Sequence, residues 1–227
     1  MPTMLTLVIT ALLTLIAMPS VAQQKKGTMD LSMEKQGMTD VQSLDSSIFV
    51  SLMYTHPDNF TGVVLYTDMH RAYLHPLAAK ALVKAQKRLK QLRPDLSLKI
   101  YDAVRPMRIQ QKMWDKVRNT PKYCYVSNPA KGGGLHNYGM AVDITLCTLN
   151  GDSIPMGALV DHMGRESHIT AEDKLVENGV ISKEERSNRQ LLRDVMKYAG
   201  FRPLSTEWWH FNFMTRATAR KYYKVIK

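Results

Sequence analysis

The chain has 227 residues, 44% of them hydrophobic, and a formal net charge of +11. That length and apolar content suit one compact domain. The positive charge does not make a nucleic-acid binder, because no stretch reads as a recognition helix or an aromatic-interleaved sheet. The densest basic run, Arg216, Arg220, Lys221, Lys224 and Lys227, reads instead as a solvated face or a contact for anionic cell-envelope polymers.

No charged side chain occurs in residues 1–22, and Leu5 to Met18 form an apolar run shorter than a comfortable membrane span. Ser20-Val21-Ala22 is a small-x-small cleavage site that puts the cut before Gln23. Residues 1–22 are therefore expected to be a secretory signal, with an uncleaved N-terminal anchor as the alternative. The mature chain would be exported, periplasmic and without a stable membrane span. Residues 23–45 are polar and Met-rich and read as a flexible leader, which leaves 46–227 as the catalytic domain.

Ile48 to Tyr54 reads as a strand, Asn59-Phe60-Thr61-Gly62 as a turn, and Val63 to Tyr66 as a short strand. Pro76 opens a helix that runs from about Leu77 to Leu92 and ends at Arg93-Pro94. Leu77, Ala81, Ala85, Leu89 and Leu92 give that helix one apolar face. Leu96 to Ile100 alternates like a strand covered on one side and leads through Tyr101–Pro106 into a second helix ending near Val117. A glycine loop, Gly132-Gly133-Gly134, delivers His136. Met140, Val142, Ile144 and Leu146 then alternate with Ala141, Asp143, Thr145 and Cys147, so Asp143 points away from the apolar face. After a loop through Pro155 and Gly157, Ser182-Lys183-Glu184-Glu185 is a capping box for a helix that ends at Ala199 with Gly200 behind it. Glu207 to Phe213 is the last strand. This order predicts an α+β single domain, a central antiparallel sheet flanked by helices with the metal site on the sheet.

Two clusters carry chemistry. His136 and Asp143, then Glu207 and His210, supply two imidazoles, one carboxylate to bind a metal and one carboxylate to move protons. Three protein ligands and an open fourth position make a catalytic zinc site, and the Glu three residues before the last His is the natural general base for an activated water. Glu207 and His210 differ by an odd number, so on a regular strand they would face opposite ways. If both serve one site, the backbone must bend between them, or Glu207 must precede the strand. Trp208 and Trp209 read as packing walls. The two cysteines, Cys124 and Cys147, lack ligand spacing. They either pair across the loop that carries His136 and Asp143, adding about 3 kcal/mol, or remain buried thiols.

Gly134-x-His136-x-x-Gly139-x-Ala141-x-Asp143 with Glu207-x-Trp209-His210 resembles the zinc D-Ala-D-Ala peptidase superfamily. Asn59–Gly62, Arg105-Pro106 with Arg108, Pro155-Met156-Gly157, Asp161, Arg165-Glu166-Ser167-His168 and Ser205 resemble its dipeptidase branch, so the likeness runs from about residue 45 to 213. The resemblance implies one Zn2+ per chain on His136, Asp143 and His210. It implies Glu207 as proton carrier, Arg105 at the developing oxyanion and Asp161 as partner of the substrate ammonium. Gly134 departs from the family, which has Ser there in contact with substrate; Arg165, Glu166 and His168 read as supporting groups.

The function so implied is hydrolysis of the small dipeptide D-Ala-D-Ala in wall turnover or D-Ala salvage. The alternatives are a D,D-carboxypeptidase or endopeptidase acting on peptidoglycan stems, and a wall-binding module without turnover.

Overall fold

A computed structural model describes residues 25–227; the expected signal segment, 1–22, lies outside them. Among the described residues no helix is long and apolar enough to cross a membrane.

The segment expected to be a loose leader is ordered from Thr28 onward. Thr28–Lys35 form α1, and Thr39–Asp40 form β1, which pairs antiparallel with β3 (Tyr73–Leu74) after β2 (Phe49–Val50). The composition concealed its anchors. Met29 and Met33 are buried in the core, and the buried Asp30 carboxylate accepts from the backbone N–H groups of Gly27, His70 and Arg71.

Pro76–Leu92 form α2, Leu96–Asp102 β4, Met107–Val117 α3 and Ala141–Thr148 β5. Glu172–Glu177 form α4, Lys183–Tyr198 α5, Arg202–Leu204 β6, Glu207–Asn212 β7 and Arg216–Tyr222 α6. The main sheet has the order β2-β4-β5-β7-β6. It is mixed rather than purely antiparallel, since Phe49 and Val50 of β2 lie parallel to Lys99 and Ile100 of β4. The connection between them contains α2, and parallel neighbours require such a crossover. Only Phe49–Val50 of the expected Ile48–Tyr54 strand is extended; Met53–Thr55 is a 3-10 turn. Val63–Tyr66 is not a strand, because the Leu65 and Tyr66 N–H groups both converge on the Tyr54 carbonyl.

α2 begins at Pro76 as expected, but its buried face is Ala78, Ala79, Leu82, Ala85, Gln86 and Leu89, while Leu77 and Leu92 are exposed. Gln86 causes the rotation. Its amide N–H donates to the Ser47 and Ser97 hydroxyls, and its carbonyl accepts from Leu98 N–H at the sheet edge. A buried amide that satisfies a strand outweighs an exposed leucine.

At the centre, β5 is buried on both faces along its whole length except Thr148. α2 and α5 pack together against the sheet. The Ser182 hydroxyl accepts from Glu185 N–H at 3.0 Å while Glu185 Oε2 accepts from Ser182 N–H at 2.6 Å, so the capping box forms as read. Gly200 has φ of +95°, which a side chain would resist. α4 carried no sequence signal; it is held by Glu172, whose buried carboxylate takes a two-pronged contact from Arg193 at 2.9 and 2.6 Å. Cys124 is exposed and Cys147 buried, and both are free thiols, so the crosslink does not form.

Candidate active site

The site is assembled where β5 meets β7. Their register sets Asp143 directly opposite His210, so one rung of the ladder presents a carboxylate and an imidazole side by side. His136 arrives on the 3-10 turn Leu135–Tyr138, which is stitched to the end of β4. His136 C=O accepts from Arg105 N–H, and the Asn137 amide donates to Arg105 C=O at 2.7 Å. Gly139 closes this turn at φ +66°, and a Cβ there would sit 2.7 Å from His75 N, so no other residue fits.

These elements bring His136, Asp143 and His210 together, with one ligand atom from each inside a 4.8 Å cluster. His136 Nε2 is 3.2 Å from His210 Nδ1 and 3.3 Å from Asp143 Oδ1, and His210 Nδ1 is 2.9 Å from Asp143 Oδ1. The far nitrogens are engaged: His136 Nδ1–H donates to Ala103 C=O at 2.6 Å, and His210 Nε2–H donates to Asn212 Oδ1 at 2.9 Å. In the neutral imidazoles the two inward nitrogens therefore carry lone pairs. In that tautomer they form with Asp143 a triangle of three acceptors, a donor set suited to a cation. Four-coordinate zinc, with bonds of about 2.0 Å, separates its donors by about 3.3 Å, so the residues fit the metal. The carbonyl and the amide that orient the imidazoles fix which nitrogen faces inward. Burial opposes charge on Asp143, but when His136 and His210 carry inward protons their charge and hydrogen bonds outweigh it and hold the carboxyl below the usual range; a cation seated between them would act in the same sense.

Glu207 joins this cluster because β7 is irregular. Arg202 pairs with Asn212 and Pro203 with Phe211, but Leu204 pairs with Glu207, so the register slips between them. The slip is the bend that the odd spacing demanded. It brings Glu207 Oε2 to 3.8 Å from His210 Nδ1, on the wall of the same cavity. Burial pushes the Glu207 carboxyl up to about 7, opposed by His210 and reinforced by Asp143 and Asp161. Trp208 and Trp209 are both buried and meet edge to face at 5.5 Å, the packing role expected of them; Trp209 also lines the cavity.

Arg105 follows β4 with its guanidinium fixed. Nε and Nη2 donate to Asp102 Oδ2 at 3.0 and 2.6 Å, Nη1 donates to Gln110 Oε1 at 3.1 Å, and Tyr54 lies under the cation. Burial works against its charge, but Asp102, Tyr54, Tyr66 and Asp143 together outweigh burial and hold the pKa above that of a free arginine. Asp161 is the only non-glycine described residue with positive φ, +68°. This strain sits on the cavity wall, at a residue the sequence singled out. Its carboxylate accepts from Tyr54 O–H at 2.9 Å, and burial, then Asp143, raise it to about 7. All six residues singled out by sequence (Arg105, His136, Asp143, Asp161, Glu207 and His210) line one cavity of about 350 Å3.

Sequence reasoning missed Asp102, Tyr54 and Tyr66. Asp102 is fully buried, taking Tyr66 O–H on Oδ1 while Arg105 takes Oδ2. The segment Tyr101–Pro106 was visible, but nothing in its spacing tells an Asp that anchors an Arg from one that faces water. His162 and Glu166 form an exposed pair at 3.1 Å outside the cluster, and neither cysteine belongs to it. His75 caps α2 by accepting from Leu77 N–H.

A family model described as D-ala-D-ala dipeptidase, of the M15 peptidases, matches residues 34–227. The chain is 33% identical to the D-alanyl-D-alanine dipeptidase of Escherichia coli (strain K12) over 80% of its own length and 86% of that protein. It is 31% identical to the D-alanyl-D-alanine dipeptidase of Enterococcus faecium, over 77% of this chain and 90% of that one. A third dipeptidase of the same name, from Synechocystis sp., is 26% identical over 59% of this chain and 66% of the relative.

Proposed function

The chain belongs to the M15 family of D-Ala-D-Ala dipeptidases, and on that premise we propose that it is a zinc metallo-dipeptidase that hydrolyses D-Ala-D-Ala to two D-Ala. The observation that carries this reading is the convergence of one ligand atom each from His136, Asp143 and His210 with the Glu207 carboxylate at their edge.

His136 Nε2, Asp143 Oδ1 and His210 Nδ1 would hold one zinc. When bound, it supplies Lewis acidity, which polarises the scissile carbonyl and acidifies a water. Glu207 accepts a proton from the attacking water and returns it to the leaving amine nitrogen. Because its carboxylate faces the cavity, the two transfers need only one swinging group. Arg105 offers N–H donors to the oxygen on which negative charge develops. Asp102 and Gln110 fix that guanidinium beforehand, so little reorganisation is needed as the charge appears. Asp161, steadied by Tyr54, pairs with the free ammonium of the substrate and so favours dipeptides over longer or acylated peptides.

The apolar stretch Leu5–Met18 and the cleavage pattern Ser20-Val21-Ala22 support export to the periplasm, where the enzyme would act in wall turnover or D-Ala salvage. The basic residues 216–227 support contact with anionic wall polymers.

Free D-Ala-D-Ala and N-acetyl-D-Ala-D-Ala, offered side by side to zinc-loaded protein, test the reading. The free dipeptide is cleaved and the acylated one spared, with Glu207→Gln as the inactive control. Preferential cleavage of the acetylated substrate would transfer the chain to the D,D-carboxypeptidases. Wall binding without any Glu207-dependent hydrolysis would make it a binding module.

A further inference from the structure

Gly134 adopts φ −104° and ψ −175°, an extended conformation open to any residue. The backbone therefore does not require glycine here; the surroundings do. A Cβ on residue 134 would lie 2.9 Å from Ser127 Oγ and 3.3 Å from Ser127 Cβ. The missing side chain leaves the space into which the Ser127 hydroxyl projects, and both residues line the catalytic cavity.

Ser127 is rigidly placed. Its C=O accepts from Gln110 Nε2 at 2.8 Å, and Gln110 Oε1 accepts from Arg105 Nη1 at 3.1 Å, so Ser127 and Arg105 share one bracket. The Ser127 hydroxyl accepts from Arg216 Nη2 at 3.1 Å, which leaves its own proton to donate. Arg216, at the start of α6, meets no carboxylate within ion-pair distance among the described residues, whereas Arg105 is neutralised by Asp102. The cavity thus contains one buried, neutralised guanidinium, Arg105, and two without an ion-pair partner among the described residues, Arg202 and Arg216, of which Arg216 is tied to a hydroxyl.

We propose that Ser127 and Arg216 form the subsite for the C-terminal carboxylate of the dipeptide, with Ser127 supplying from a separate segment the hydroxyl that residue 134 lacks. This rests on the dipeptidase reading, because it is a dipeptide that carries an ammonium for Asp161 and also a free carboxylate. One carboxylate oxygen takes the Ser127 O–H and the other takes Arg216 N–H, two charge-assisted bonds. Arg202 is the rival cation, since it also lines the cavity without an ion-pair partner among the described residues.

The experiment compares D-Ala-D-Ala with D-Ala-D-alaninamide, whose C-terminus is uncharged, in wild type, Arg216→Gln, Ser127→Ala, Gly134→Ala and Arg202→Gln. Arg216→Gln is expected to raise KM for the dipeptide about tenfold while changing kcat by less than about threefold, and to leave KM for the amide unchanged. Ser127→Ala acts in the same direction and more weakly. Gly134→Ala reproduces it, because the added methyl displaces the hydroxyl without removing it. The double variant Gly134→Ser with Ser127→Ala regains dipeptide KM, since the hydroxyl returns from the other segment. Equal losses on both substrates, or a carboxylate-specific loss in Arg202→Gln alone, would overturn the subsite. Calorimetric binding of both compounds to the Glu207→Gln variant separates the two readings. Dipeptide-selective binding that Arg216→Gln abolishes, in a protein whose wild type hydrolyses neither compound, would remove the dipeptidase function and leave the subsite standing. Failure to discriminate dipeptide from amide removes the subsite alone.

Discussion

Asp143 and His210 face each other across a rung of β5 and β7, whereas Asp161 stands on a loop, in a left-handed backbone conformation, and leans on Tyr54. The rung inherits its geometry from backbone hydrogen bonds on both sides of β5, a strand with almost no solvent contact. The loop group depends on a single phenol and tolerates backbone strain. The contrast divides the site by task. The groups proposed to hold a metal and move protons are placed by the sheet and its stitched turn; those proposed to choose a substrate hang on loops and on the first turn of α6. Changes on the sheet should reduce kcat or metal content, and changes on the loops should raise KM.

Metal removal is the harshest way to test that division. Chelation, or His210→Ala, is expected to cost at least about a thousandfold in activity, with zinc content read by elemental analysis. Glu207→Gln comes next. It should keep full zinc content and lower kcat by about 10²–10⁴-fold; lost zinc in this variant would instead make Glu207 a ligand. Asp102→Asn probes the bracket behind the sheet. Arg105 and Tyr66 then share one uncharged amide oxygen in place of two carboxylate oxygens, kcat should fall about tenfold or more, and thermal unfolding should report a loss of about 3 kcal/mol from a broken buried pair.

Asp161→Asn gives the smallest effect and the sharpest contrast. KM for the free dipeptide should rise about tenfold with kcat nearly kept. Stability should move the other way. The folded carboxyl of Asp161 titrates near 7, above that of an unfolded Asp. As pH rises from about 4, the unfolded chain releases its proton first, so the folded state loses stability until about pH 7 and carries the full cost above it. In the metal-free protein, Asp161→Asn is therefore expected to be more stable than wild type by about 4 kcal/mol above pH 7 and equal to it below pH 4. A constant difference across that range in denaturation scans would break the assignment.

The metal cluster was legible because it is written in short-range pattern. The glycines around His136 and the alternation through Asp143 fixed a turn and a strand, and the odd spacing of Glu207 and His210 demanded a bend that the β6–β7 register slip supplies. What stayed hidden was long-range. Asp102 gains meaning only when Tyr66 and Arg105 fold onto it, and Tyr54 only when it reaches Asp161 across 107 positions. α1 looked like leader because two buried methionines among polar neighbours carry no periodic signal. The face of α2 was misjudged through Gln86, whose polarity hides an inward role that only the sheet edge reveals. The parallel placement of β2 escaped because two residues of strand hold too little pattern to show direction.

The Asp143–His210 rung has a consequence for how the protein matures. Both side chains project from strands paired within a five-stranded sheet, and this scaffold is expected to form before a metal is loaded. In this it differs from small zinc domains that collapse without their metal. Refolding in the presence of a chelator would give the native far-ultraviolet spectrum, and zinc added later would restore turnover without refolding. With that outcome, assembly and loading would be separate events, free to occur at different times.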